Sequence, residues 1–174
     1  MKIFITNLGR YNEGYLVGKW VKLPVCEDVL DKVLKEIGID EYYEEYFITD
    51  YENEIIGIGD VISEYSSVQA LNELAQRLEE LSDDEADKLG AVLEYEACRS
   101  VSEVLELLDK LDEFDLLTDV TDDEELGYYY AEEYCCIDIP ESIQPYFDYE
   151  KYGRDVRLQS CCLYTSYGFL LDNR

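Results

Sequence analysis

The sequence predicts the α+β class: an elongated chain of three domains, with a small α+β unit, a helical bundle and a second α+β unit. Three observations predict it. β-Branched and aromatic runs bounded by turn formers lie toward both ends, apolar stripes at helical spacing fill the middle, and no Gly/Ser- or Pro-rich linker separates them. The predicted domains are residues 1–61 (three strands and a helix), 62–112 (helical bundle) and 113–174 (the second α+β unit).

In the first domain, Lys2–Asn7 and Leu16–Leu23 have strand composition, and the Gly9–Gly14 stretch between them is rich in turn formers. From Glu27, Val29, Leu30, Val33, Leu34 and Ile37 repeat at helical spacing, and Gly38 supplies the left-handed stop. Glu45–Tyr51 is the third strand.

The middle domain opens with Ser/Thr-x-x-Glu/Gln helix starts at Ser66, Ser82 and Ser100. Val68, Leu71, Leu74, Ala75, Leu78 and Leu81 form one apolar stripe, and Val101, Val104, Leu105, Leu108 and Leu111 form another. In the last domain Phe114–Val120 is strand-like, and Thr121–Glu124 starts a helix that continues over Glu125–Tyr134. Pro140–Ser142 opens a further helical stretch that Tyr149–Leu158 continues. Cys161–Tyr164 and Phe169–Leu171 flank a Thr-Ser-Tyr-Gly turn as a hairpin.

The charge is more informative than the elements. Asp and Glu number 42 against 14 Lys and Arg, with no histidine, so the net charge is −28. A small soluble domain needs a net charge of only about 2–8 in magnitude. Hydrophobic residues at 47% and aromatics at 13% place this charge on a folded frame instead of a disordered tail. Duplex DNA carries one charge per about 1.7 Å of axis, so 28 excess charges match about 48 Å of duplex and a dimer about 95 Å. A compact globule of this length has a radius of gyration of about 16 Å, too small to spread charges at that density, and this is the origin of the predicted elongation. The composition therefore points to a basic protein surface built to hold nucleic acid, and not to nucleic acid itself, as the partner.

Histidine-dependent triads and metal-activated water have no residues to work with. The glycines at 9, 14 and 18 fit neither dinucleotide nor phosphate-loop spacing, so no cofactor is predicted. Asp119, Thr121 and Asp123 alternate like a calcium loop, but Glu124 and Tyr130 stand where that loop needs Gly and Glu, and no metal site is predicted. Six cysteines (Cys26, Cys98, Cys135–Cys136 and Cys161–Cys162) lack C-x-x-C spacing and are expected as reduced thiols of a cytoplasmic protein, one of each adjacent pair turned inward. No signal peptide or membrane span is predicted. Seventeen tyrosines lie largely among acids, as in Glu41–Tyr46 and Tyr128–Tyr134; about half of each run is expected to pack inward and the rest to be amphipathic contact residues.

Several ordered motifs carry a family resemblance. Asn7-Leu8-Gly9-Arg10-Tyr11-Asn12-Glu13-Gly14, then Leu16-Val17-Gly18-Lys19-Trp20 and Leu23-Pro24, resemble the opening of the ArdA antirestriction proteins. Glu44–Glu52, Ile139–Tyr149 and Tyr152-Gly153-Arg154-Asp155 are similar to the same family, so the resemblance spans essentially the whole chain. It implies a homodimer, encoded on mobile elements, that mimics bent B-form DNA and blocks Type I restriction-modification enzymes by occupancy, without catalysis. It also implies that the C-terminal domain joins the subunits, and that Leu126–Tyr134 with Pro140–Tyr149 matches the antirestriction motif.

The carboxylates expected on the mimic surface are Glu41, Glu44, Glu45, Asp83, Asp84, Asp122, Asp123, Glu132 and Glu133. An exposed apolar patch among Leu126, Tyr129 and Tyr130 is the expected dimer contact, with the Cys161–Leu171 hairpin as another candidate. The expected partner is the methyltransferase and specificity core of a Type I enzyme. The competing expectation is an acidic binding module, an inhibitor or chaperone of another basic DNA-binding protein. A carboxylate-dependent hydrolase would need a pocket of acids with perturbed pKa values, to which nothing in the sequence points.

Overall fold

The computed structural model describes residues 1–55, 57–134, 137 and 139–174, and they form seven α-helices and two three-stranded antiparallel sheets. The fold is mixed α+β. The chain divides into two compact units, Met1–Ala86 with Ala97–Asp109, and Asp87–Glu96 with Lys110–Arg174.

In the first unit β1 (Lys2–Asn7) lies between β2 (Gly18–Lys22) and β3 (Tyr46–Glu52). Cross-strand partners share a face, so Ile3 with Val21 and Ile5 with Ile48 form an inner side, all four buried. Helix α2 (Glu27–Glu36) adds Val33, and Ile37 just beyond it is buried too. Gly38, at φ +80°, takes the left-handed step that ends this helix, as the sequence predicts. Asn7 and Thr6 are the buried polar residues of this core; the Asn7 side chain is fully bonded. Its amide donates to the carbonyls of Ile37 and Gly38 at 3.1 and 3.0 Å, and its side-chain oxygen accepts from the Arg10 N–H at 2.9 Å. That last bond caps α1 (Leu8–Asn12), a short helix where the sequence predicts only a turn region. Five residues are too few to show a helical period, so the departure follows from the cap.

Helices α3 (Val68–Glu79) and α5 (Val101–Leu108) pack on each other through the two predicted stripes, with Val68, Leu71, Leu74, Val101 and Val104 buried. The cap of α3 is Ser67, one residue later than predicted, because Ser66 instead accepts a bond from the Ser63 N–H. Helix α4 (Asp83–Tyr95) begins with the predicted reciprocal box, Ser82 N–H to Glu85 Oε2 at 2.8 Å and Glu85 N–H to Ser82 Oγ at 3.4 Å. Its first residues belong to the first unit and the remainder to the second.

The second unit places the last strand in the middle of its sheet, in the order β4 (Phe114–Leu117), β6 (Gly168–Asp172), β5 (Cys162–Thr165). Strand β4 stops at Leu117, short of the predicted Val120. Helix α6 (Asp123–Tyr128) is capped by Asp122 and crosses α7 (Tyr149–Gln159) at a glycine pair. A Cβ on Gly127 would collide with the Tyr149 carbonyl, and one on Gly153 with the Asp123 carbonyl. Val120, Leu126 and Phe169 form the buried centre. The predicted helix over Glu125–Tyr134 changes to a wider π-helical turn from Tyr129, and the stretch predicted helical from Pro140 holds only a 3-10 turn at Gln144–Tyr146. Pro140 and Pro145 have no N–H to give to a helix ladder.

Candidate functional site

The acidic positions divide into four settings. Glu41, Glu44 and Glu45 lie exposed in the connection between α2 and β3. The segment is held by Asp40, whose carboxylate accepts from the N–H groups of Tyr42 and Tyr43 at 2.8 and 3.0 Å. Those two bonds hold the Asp40 carboxyl below its ordinary range. Asp83 and Asp84 are exposed in the first turn of α4, where the N-terminal end of a helix favours negative charge, so these acids also have a local structural reason to be there. Asp122 and Glu133 are exposed near the two ends of the α6 segment, and the Asp122 side chain is engaged in capping Glu125 at 2.9 Å.

Asp123 and Glu132 have a different setting. Asp123 takes Arg157 in a bidentate pair at 2.7 and 2.9 Å and the Tyr164 hydroxyl at 2.8 Å. The Arg157 bonds hold the Asp123 carboxyl low, while burial and then the bond to Asp123 push the Tyr164 phenol up. Glu132 accepts from the Tyr149 hydroxyl at 2.6 Å, a bond that moves the phenol to about 12, and from Gln144 at 3.4 Å. Both acids are half-buried tethers inside the second unit. No local pattern marks them, because their partners lie 12 to 41 residues away in sequence.

Leu126 has 0% of its surface exposed and packs in its own chain's core, with Tyr129 and Tyr130 half-buried against the same cluster. The expectation of an exposed patch at Leu126 is therefore corrected: helix α6 turns this side chain onto Phe169. The exposed apolar side chains of the region are instead Tyr128, Tyr134, Ile137, Ile143 and Tyr146. An open groove of about 660 Å³ beside α6 is lined by Leu117, Val120 and Tyr129 together with Asp119, Glu124 and Glu125.

Cys26 and Cys161 are exposed and Cys98 and Cys162 half-buried, the Cys162 thiol pushed up by burial. The Cys135–Cys136 pair lies outside the described residues. Of the 17 tyrosines eight are exposed, nine half-buried and none fully buried. Lys2, Arg10, Lys19, Arg77, Arg157 and Arg174 pair with carboxylates, and Arg174 joins both Asp172 and Glu96. Among the described residues no group of His, Cys, Asp or Glu is arranged to hold a metal ion, and no helix is long and apolar enough to cross a membrane.

Fold and surface together define an α+β protein whose most distinctive chemistry is an outward-facing layer of carboxylates and phenols. The chain belongs to the antirestriction protein (ArdA) family, whose pattern it matches over residues 3–170. No curated protein matches it. Its activity is accordingly antirestriction, the protection of DNA from restriction-modification enzymes.

Proposed function

We propose that the protein acts as a stoichiometric DNA mimic, its carboxylates replacing phosphates in the DNA groove of a Type I restriction-modification enzyme at the methyltransferase and specificity core. One observation carries the reading: Glu41, Glu44, Glu45, Asp83 and Asp84 are exposed, and none belongs to an ion pair among the described residues. Carboxylates in that state present their full charge to a basic partner. In the second unit Asp122 and Glu133 are exposed as well, whereas Asp123 and Glu132 support that unit's scaffold.

No bond is made or broken in this mechanism. A field from 28 excess negative charges steers the protein toward a cationic groove, and short-range pairing with its Arg and Lys then excludes the duplex. The inhibitor is a homodimer of three-domain chains (1–61, 62–112, 113–174), with its subunit contact in the last domain. The side chains that support this contact are the exposed Tyr128, Tyr134 and Tyr146, alongside Tyr129 and Tyr130.

The test is competition. Titration of the protein into a Type I methyltransferase bound to labelled duplex should release the duplex stoichiometrically, and more weakly at higher salt. Retention of the duplex at protein excess would reject the mechanism and favour a different basic client.

A further inference from the structure

The side of the first sheet opposite Ile3 and Ile5 carries chemistry that phosphate mimicry does not use. Phe4 and Trp20 are cross-strand partners on this side, their rings edge to face at 5.3 Å, and Tyr11 meets Phe47 in the same manner at 5.1 Å. The four rings, with Leu16 and Thr49, line an open groove of about 410 Å³. Trp20 is 39% exposed, Tyr11 50% and Leu16 68%, so this is a large apolar and aromatic surface facing water.

Its carboxylates have a specific structural origin. The register of β1 against β3 slips between Phe4 and Ile5, so Ile5 faces Ile48 while Phe4 faces Asp50, with Thr49 as the extra residue. Without that bulge Asp50 would stand opposite Ile3 on the core side. With it, Asp50 joins Phe4 and Trp20, and Thr49 bonds the Thr6 hydroxyl at 2.7 Å. Glu64 completes the lining. Both acids are exposed, neither is in an ion pair among the described residues, and no Lys or Arg lines the groove. Lys2, on the same side of β1 as Phe4, is held by Glu52 at 2.7 Å.

We propose that this groove is a receiving slot for an arginine side chain of the partner protein. A guanidinium is planar and weakly hydrated; it stacks on an aromatic face while its edge N–H groups pair with carboxylates. Exposed rings of Trp20 and Tyr11 beside Asp50 and Glu64 offer both contacts in one place. A lysine ammonium, compact and strongly hydrated, uses the carboxylates but gains less from the rings. That the arginine comes from a DNA-binding groove rests on the function proposed above; the slot's selectivity does not.

Trp20 is the only tryptophan, so its emission reports on the slot directly. N-acetyl-arginine amide, titrated at constant ionic strength, should change Trp20 emission saturably, with a half-saturation at least about threefold lower than that of N-acetyl-lysine amide. The variant Asp50→Asn/Glu64→Gln should raise the arginine half-saturation at least about threefold. Asn at position 50 keeps an oxygen for the Tyr51 N–H that Asp50 accepts at 2.8 Å. If the double variant does not fold, Glu64→Gln alone provides the comparison, since only the backbone carbonyl of Glu64 bonds Ile48. No saturable change, or equal responses from the two amides, or an unaltered response in the folded variant, would overturn the slot. Failure of duplex displacement by the unmodified protein would instead reject the mimic mechanism and leave this titration standing.

Discussion

The two sheets use the same number of strands and treat their acids in opposite ways. In the first unit the carboxylates between α2 and β3 stay at the surface, and the buried polar side chains are the neutral Thr6 and Asn7. In the second unit several acids turn back into the fold. Asp123 holds Arg157 and Tyr164, Glu132 holds Tyr149, and Asp172 holds Arg174, which also reaches Glu96. Surplus charge is therefore not one property of the chain: the first unit displays it, whereas the second uses part of it as internal tethering. The difference arises where cations and phenols from distant segments are brought to the acids by α6, α7 and the C-terminal strand.

The largest test of this contrast removes packing from one unit alone. Leu126→Ala should cost about 2–5 kcal/mol in the second unit and lower amide protection in β6, with β1 amides unchanged. Equal losses in β1 would show that the units unfold together and would break the comparison at its root. Next is the α6–α7 crossing. Gly153→Ala should destabilise by about 3 kcal/mol in urea unfolding, because the opposing atom is a backbone carbonyl. Gly9→Ala in the first unit meets the Tyr43 ring, a side chain able to rotate away, and should cost clearly less.

Acid pH sharpens the contrast further. Asp172 is held down to about 2, first by the side-chain bonds of Arg174, and Asp123 is lowered chiefly by Arg157. Both folded pKa values lie below the unfolded carboxylate value of about 3.9, so this stabilisation is complete above about pH 4 and is lost as pH falls toward 2. Amide protection over that interval should decline more in the second unit than in the first, and Arg174→Gln should flatten the dependence. A steeper decline in the first unit would contradict the tether assignment.

The smallest effects belong to displayed charge. Glu41→Gln or Glu44→Gln should leave the melting temperature unchanged and weaken duplex displacement by about twofold or less, since binding spread over many charges has no single dominant contact. Asp123→Ala should show the reverse pattern. It should destabilise by about 1 kcal/mol, the pair being discounted for its partial exposure, with displacement altered only as far as folding is. A collapse of displacement after Glu41→Gln alone would reject a distributed charged surface.

Much of this was legible in the chain itself. The three strands of the first unit, the Gly38 stop, the Ser82 and Ser100 helix starts, α7 and the terminal hairpin follow from local periodicity and turn chemistry, which a linear pattern contains in full. The overall charge and the family were likewise carried by residues read in order. Tertiary structure alone decided which acids are tethers, since Asp123 meets Arg157 and Tyr164 across 34 and 41 residues. It also decided that Leu126 faces inward, that α6 loosens into a π-helical turn at Tyr129, and that a one-residue bulge moves Asp50 to the aromatic side of its sheet. Periodicity assigns a residue to one side of an element; what that side then meets depends on contacts between distant segments, and these determine whether a carboxylate keeps its charge at the surface or pairs it inside the fold.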